Sequence, residues 1–133
     1  TNLDDVTPEV LAHVVELALA SGADDAWLTP IVMKKGRPGH VLSVLCRPEL
    51  SGALRDLVAG ETGTLGIRER QVAKHELVRR TEEVLVDGHT IRIKVGPHGA
   101  KPEHDDVVAA AAALDRPLRG VASAALAAWG APD

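Results

Sequence analysis

Residues 28–46 read Leu28-Thr-Pro-Ile-Val-Met-Lys-Lys-Gly-Arg-Pro-Gly-His-Val-Leu-Ser-Val-Leu-Cys46. Two apolar runs, each long enough for a strand, flank Lys34, Lys35, Gly36, Arg37, Pro38 and Gly39. A tight hairpin needs only about two loop residues of positive φ, so clustered cations are not required to reverse the chain. The stretch predicts strands over 26–33 and 40–46. Upstream, Thr7-Pro8-Glu9 is a helix start: a hydroxyl cap, a proline suited to the first helical position, and an acid at the positive end of the dipole. Val10, Leu11, Val14, Leu17 and Ala18 form the apolar face of that helix, and Gly22 ends it. Downstream, Pro48 opens a second helix that carries Leu50, Leu54, Leu57 and Val58 on one side, with Gly60 as its predicted stop.

With a short opening strand at Thr1-Asn2-Leu3 and a strand predicted from about Leu65 through the charged run to Arg80, the order is β-α-β-β-α-β, a split ferredoxin-like pattern. The runs EEVLV and TIRIKV then pair across Asp87-Gly88, a two-residue hairpin signal. Ile91, Ile93 and Val95 alternate with Thr90, Arg92 and Lys94, as on a sheet with one wet face. From about Pro102 to Trp129 the chain is Ala-rich and predicted helical, broken near Arg116-Pro117, and its five-alanine run suits close packing on a sheet. The expected class is α+β: a ferredoxin-like βαββαβ sandwich extended by a β-hairpin and C-terminal helices. One domain is expected over 1–133, with the sandwich in 1–68 and the hairpin plus helices in 69–133. That topology hosts many functions and decides none.

Composition narrows the partners. Hydrophobic residues make up 45% of the 133, enough for one core, but there is no Phe or Tyr and the only aromatics are Trp27 and Trp129. The core is therefore expected from Val, Leu, Ile and Ala. Base-stacking platforms are nearly absent and the formal net charge is −4, which argues against a nucleic-acid partner and makes any anion site local. Cys46 is the single cysteine, which excludes an internal disulfide and suits a reducing cytoplasm. No apolar run approaches the roughly 18 residues of a membrane span, so no membrane partner is expected. The abrupt start at Thr1, a strand running straight into a helix cap, leads us to expect a domain of a longer or split protein.

Four polar clusters could carry chemistry. Asp4 and Asp5 follow the opening strand; adjacent carboxylates suit Mg²⁺ or Mn²⁺ shared with a phosphate, or a solvated loop before a helix. KKGRPG (34–39) offers cations and glycines that let a phosphate approach the backbone, or a charged tip that blocks edge pairing. ETGTLGIR (61–68) places hydroxyls between glycines and closes on Arg68; it lacks P-loop spacing and also reads as a helix-to-strand connection. KPEHDD (101–106) is a good helix start that also presents Glu103, His104, Asp105 and Asp106. His13, His40, His75, His89, His98 and His104 are scattered without HxH or HExxH spacing, and no serine lies in GxSxG. Neither a zinc site nor classical hydrolysis is supported.

Taken together and in this order, TNLDD, TPE, TPIVMKKGRPGHVLSVLC, ETGTLGIR and KPEHDD resemble the C-terminal domain of the LarC family of nickel insertion proteins, over roughly Thr1 to Asp106. The resemblance implies a CTP- and divalent-metal-binding domain of a cyclometallase. Such an enzyme inserts nickel into pyridinium-3,5-bisthiocarboxylic acid mononucleotide, forming one carbon–nickel and two sulfur–nickel bonds of the nickel-pincer cofactor of lactate racemase. It further implies CTP with Mn²⁺ or Mg²⁺ as cofactor, Ni²⁺ as substrate metal, the N-terminal half of the same protein as partner, and a homo-oligomer. A fragment of this size is expected to bind CTP without inserting nickel. A regulatory or oligomerising small-ligand domain without catalysis, and a metal-delivery protein using the scattered histidines, are the other readings.

Carried over by motif, the resemblance implies Asn2, Lys34, Lys35, Arg37, Thr62, Thr64, Arg68 and Lys101 as nucleotide contacts, with Lys34, Lys35 and Arg37 as the triphosphate cradle. It implies Asp4, Asp5 and Glu103 as metal ligands; no catalytic residue is assigned. The chain departs from the family pattern at Gly63, where Thr is common, at His104 in place of Tyr, and at Val107 in place of Cys.

Overall fold

The opening strand is short, Asn2–Leu3 (β1), and is followed by Pro8–Ala20 (α1), Asp25–Val32 (β2), Pro38–Leu45 (β3) and Ser51–Thr62 (α2). Arg80–Val86 (β4), His89–Gly96 (β5), Gly99–Pro102 (β6), His104–Leu114 (α3) and Leu118–Gly130 (α4) complete the order. The structure, a computed structural model, describes residues 1–130. The chain divides into two units, Thr1–Val72 and Ala73–Asp133, each with its own antiparallel sheet. The class is α+β.

In the first unit the sheet order is β1-β3-β2. Ala26 pairs with Val44 and Leu28 with Leu42, so one face of the hairpin is apolar up to the Pro30–His40 pair. Leu11, Val14 and Ala18 of α1 and Leu54 and Val58 of α2 are buried with Leu3, Ala26 and Leu42 in two adjoining clusters. Thr7 caps α1 through Val10 N–H, which donates to its hydroxyl. Pro30 sits within β2, where the lost donor is tolerated because β2 is an edge strand.

Two expectations for this unit are corrected. α2 does not stop at Gly60; it runs to Thr62 and ends on Gly63, whose φ of 66° gives the left-handed cap that closes onto Ala59 O. The fourth strand of the sandwich is absent as a hydrogen-bonded element, and among the described residues no strand lies between α2 and β4. A strand on that edge needs apolar residues at every second position to hold its register. Here only Ile67 joins the core, while Leu65, Val72, Leu77 and Val78 are exposed among charged neighbours.

The second unit has sheet order β4-β5-β6. The β4–β5 turn places Asp87 and Gly88 at φ 48° and 85°, the paired positive angles of a type I′ turn. Ile91, Ile93 and Val95 face the helices and pack with Val107, Ala110 and Ala111 of α3 and Val121 and Ala125 of α4. The alanine run therefore lets α3 lie close to the sheet. α3 ends before Asp115, which takes the left-handed position at φ 49°, and α4 restarts after Pro117. β6 is an element that its Gly-Ala-Lys-Pro composition does not announce.

Ile93 is fully buried at the centre of the second core. Ile93→Ala is expected to lower unfolding free energy by about 2–5 kcal/mol, whereas Leu65→Ala, at a fully exposed position, should leave it within about 0.5 kcal/mol. A urea titration followed by far-ultraviolet circular dichroism, which reports both units, measures both.

Candidate functional site

The first unit brings the cationic loop against the first carboxylates. β1 pairs with β3 through Asn2↔Val41 and Leu3↔His40, which sets Asp4 beside the β2–β3 connection. That connection is narrower than its sequence suggests, because β3 already begins at Pro38 and Met33 N–H donates to Arg37 O at 2.7 Å. Lys34 to Gly36 fill it as one tight turn, with Lys35 and Gly36 in the left-handed region at φ 63° and 72°. Left-handed backbone is unfavourable for a lysine, so the surrounding turn must hold Lys35 there.

Arg37 Nη1 lies 3.3 Å from Asp4 Oδ2. Such an exposed pair contributes little stability, but it fixes the direction of a guanidinium that would otherwise sweep solvent. Lys34 and Lys35 are exposed and take part in none of the ion pairs among the described residues. Gly39 makes the approach of β1 possible. A Cβ there would stand 2.6 Å from Leu3 O, 3.0 Å from Met33 Sδ and 3.3 Å from Asp4 Cβ.

A second cluster surrounds the other end of β1. Thr1 Oγ1 lies 2.8 Å from Thr64 Oγ1 and donates to Gly66 O at 2.7 Å. Arg68 Nη2 donates to Asn2 Oδ1. The segment after α2 is therefore tied to β1 by side chains rather than by a ladder. Thr62 plays a more local part, since its hydroxyl donates to Val58 O at 2.6 Å and accepts from Thr64 N–H at 3.3 Å. Of the nucleotide contacts implied for this unit, Arg68 meets Asn2 and Thr64 meets Thr1 at one end of β1, while Arg37, in the turn that carries Lys34 and Lys35, meets Asp4 at the other; Thr62 stays within α2. Thr1, the hub of the hydroxyl cluster, was not among the expected site residues, although it stands in the same TNLDD motif.

The remaining implied residues lie in the second unit. Lys101 is exposed on β6, directly across from Lys94 of β5. Glu103 Oε1 accepts from Lys94 Nζ at 2.6 Å, and Glu103 N–H donates to Arg92 O at 2.8 Å. Asp106 takes both the Arg92 side chain, at 2.8 Å from Nε and Nη2, and the Arg92 backbone N–H at 3.0 Å. The Arg92 guanidinium first, and then this backbone bond, holds the Asp106 carboxyl well below its ordinary value, at about 2. Glu103 and Asp106 together bolt the start of α3 to the edge of β5. Val107, where the family pattern has Cys, is a core residue. Asp4 and Asp5 belong to the first unit and Glu103 to the second, and among the described residues no three His, Cys, Asp or Glu side chains gather as a metal cluster. No helix of the described residues is long and apolar enough to cross a membrane.

The model of the nickel insertion protein family matches residues 1–122. A pyridinium-3,5-bisthiocarboxylic acid mononucleotide nickel insertion protein of Nocardioides sp. (strain ATCC BAA-499 / JS614) is 45% identical over 131 residues. The match covers 95% of this chain and 33% of that protein, so the chain spans about a third of the curated relative's length. A solved C-terminal domain of a cyclometallase involved in the synthesis of the NPN cofactor of lactate racemase superposes with a TM-score of 0.89. The two are 34% identical, and the match covers 98% of this chain and 93% of that one. A crystal structure of a protein from Methanopyrus kandleri AV19 shares the fold at a TM-score of 0.61 and 24% identity, over 96% of this chain and 82% of that one.

Two consequences follow from this geometry. Gly39→Ala forces Leu3 O away and is expected to cost about 1–3 kcal/mol; amide exchange at Leu42, whose N–H donates to Thr1 O at 2.9 Å, should accelerate markedly. Because the folded-state value of Asp106 is depressed, its stabilising contribution is complete above about pH 4 and is lost as pH falls through about 2. Urea midpoints across that range should therefore fall more steeply for the native chain than for Asp106→Asn.

Proposed function

The chain belongs to the nickel insertion protein family, and we propose that it is the nucleotide-binding domain of a cyclometallase that uses CTP. The full protein inserts Ni²⁺, the substrate metal, into pyridinium-3,5-bisthiocarboxylic acid mononucleotide. This chain holds the nucleotide, and nickel handling falls to the N-terminal half of the longer protein. The observation that supports this reading most is the cation loop pressed against Asp4 by the β1–β3 pairing, with Lys34 and Lys35 exposed beside it.

The charges suit a triphosphate with its divalent ion: the triphosphate carries about four negative charges, which the ion and the clustered cations neutralise together. Lys34 and Lys35 supply mobile ammonium groups. Arg37 supplies a planar fork whose direction Asp4 fixes. Hard divalent ions in phosphate sites take one or two carboxylates plus phosphate oxygens, and Asp4 and Asp5 are the pair that would hold Mn²⁺ or Mg²⁺ here. The ion would supply charge neutralisation between the phosphates. Thr64, Asn2 and Arg68 form a hydroxyl, amide and guanidinium row at the other end of β1. Such a row suits ribose or base contacts, because it combines donors and acceptors on a fixed backbone.

Calorimetric titration with CTP and Mn²⁺ tests the reading, with ATP, GTP and UTP in parallel. Saturable, metal-dependent binding with CTP preferred is expected. Lys34→Ala/Lys35→Ala should weaken it at least about a hundredfold, since each of the two charge-assisted contacts is worth about 1.5–3 kcal/mol. Unchanged CTP affinity in that variant would sink the assignment and leave a regulatory or assembly role for the domain.

A further inference from the structure

The second unit carries a groove apart from the cluster along β1, with Lys101, which the resemblance implies as a nucleotide contact, on its rim. It encloses about 400 Å³, and Leu77, Val78, Pro97, His98, Arg79 and Lys101 supply most of its character. That volume lies at the small end of the range for small-molecule sites. Leu77 and Val78 are exposed apolar side chains on the segment leading into β4, and Pro97 and His98 form the β5–β6 turn opposite them. The floor is therefore apolar, with one imidazole.

The cations at the rim are distributed unevenly. Lys94 is already held by Glu103 at 2.6 Å. Lys101, its cross-strand neighbour, takes part in no ion pair among the described residues. Arg79 takes part in none of those ion pairs either; it acts on Glu76 only through its charge, and Glu76 is held by Lys74 at 2.8 Å. No carboxylate lines the groove. A metal-bound triphosphate would find no ligand for its ion there, whereas a metal-free anion with a flat body would find a fork, an ammonium and an apolar floor.

We propose that this groove binds a planar, anionic pyridinium mononucleotide, with Arg79 and Lys101 on its acid groups and Leu77, Val78 and Pro97 against the ring. The identity of that ligand rests on the family reading above. A pyridinium ring with two acid substituents and a phosphate monoester carries about three net negative charges near neutrality. An arginine fork and a lysine point charge complement such a ligand. The two units would then divide the reactants, with CTP along β1 and the mononucleotide on the second sheet.

The test titrates the full chain with pyridinium-3,5-dicarboxylic acid mononucleotide, the oxygen counterpart that cannot be metallated through sulfur, and follows the Leu77 and Val78 methyl resonances. Saturable binding that shifts those methyls is expected. Arg79→Glu/Lys101→Glu should weaken it at least about tenfold, while Arg119→Glu, a charge reversal outside the groove, should not. Both variants change exposed residues, and an unaltered melting temperature confirms that they fold. The proposal is overturned if no saturable binding occurs, if Arg79→Glu/Lys101→Glu binds as tightly as the native chain, or if Lys34→Ala/Lys35→Ala is the variant that loses the mononucleotide. Loss of CTP binding from every chain, with the mononucleotide arm behaving as expected, would remove the CTP assignment and leave the groove standing.

Discussion

The close approach of Leu3 O to the α-carbon of Gly39 is the contact on which the candidate site depends. β1 is only two residues long, too short to be held by its own ladder. It stays in place because Leu3 is buried in the first core and because position 39 has no side chain to push it away. From that one placement the rest follows. Asp4 emerges beside the cation turn, and Thr1 and Asn2 face the segment after α2. Two motifs more than thirty residues apart in sequence, TNLDD and KKGRPG, become one surface because a glycine sits between them.

Most of the scaffold was legible because its signals were local. Thr7-Pro8-Glu9, Asp87-Gly88 and the alternation of Ile91, Ile93 and Val95 each specify a backbone conformation from a few neighbouring residues, and each is found. The misreadings have the opposite character. Gly60 has the composition of a helix end but lies inside α2, and the left-handed cap three residues later at Gly63 is what ends the helix. The sandwich pattern led to a strand after Leu65 that the side chains do not support, since a topological template says nothing about whether one face is apolar enough to pair. β6 was invisible because Gly-Ala-Lys-Pro has no strand propensity; only its neighbours on β5 make it a strand.

The site was legible in residue type but not in partnership. Charge and glycine content pointed to the Lys34–Gly39 turn, and nothing in the sequence showed that Arg37 would be oriented by Asp4 or that Thr1 would anchor Thr64 and Gly66. The acidic run after Lys101 offered several carboxylates of equal appearance. The structure separates them: Glu103 neutralises Lys94, and Asp106 closes on both the side chain and the backbone of Arg92. These pairs depend on the register of β5, which no linear pattern reveals.

That register also explains why two anion sites on one acidic chain would differ in kind. In the first unit the carboxylates next to the cations leave capacity unspent: Asp4 meets a single guanidinium nitrogen at 3.3 Å, and adjacent Asp5 is exposed. A hard divalent ion sharing a phosphate needs oxygens in that condition. In the second unit the acids that meet the sheet's cations are engaged at 2.6–2.8 Å, which leaves Lys101 and Arg79 outside those ion pairs beside an apolar floor. Metal-assisted and metal-free anion binding ask for these two different arrangements of the same residue types. A chain whose net charge is negative keeps both local, because its surface as a whole offers no positive field to extend them.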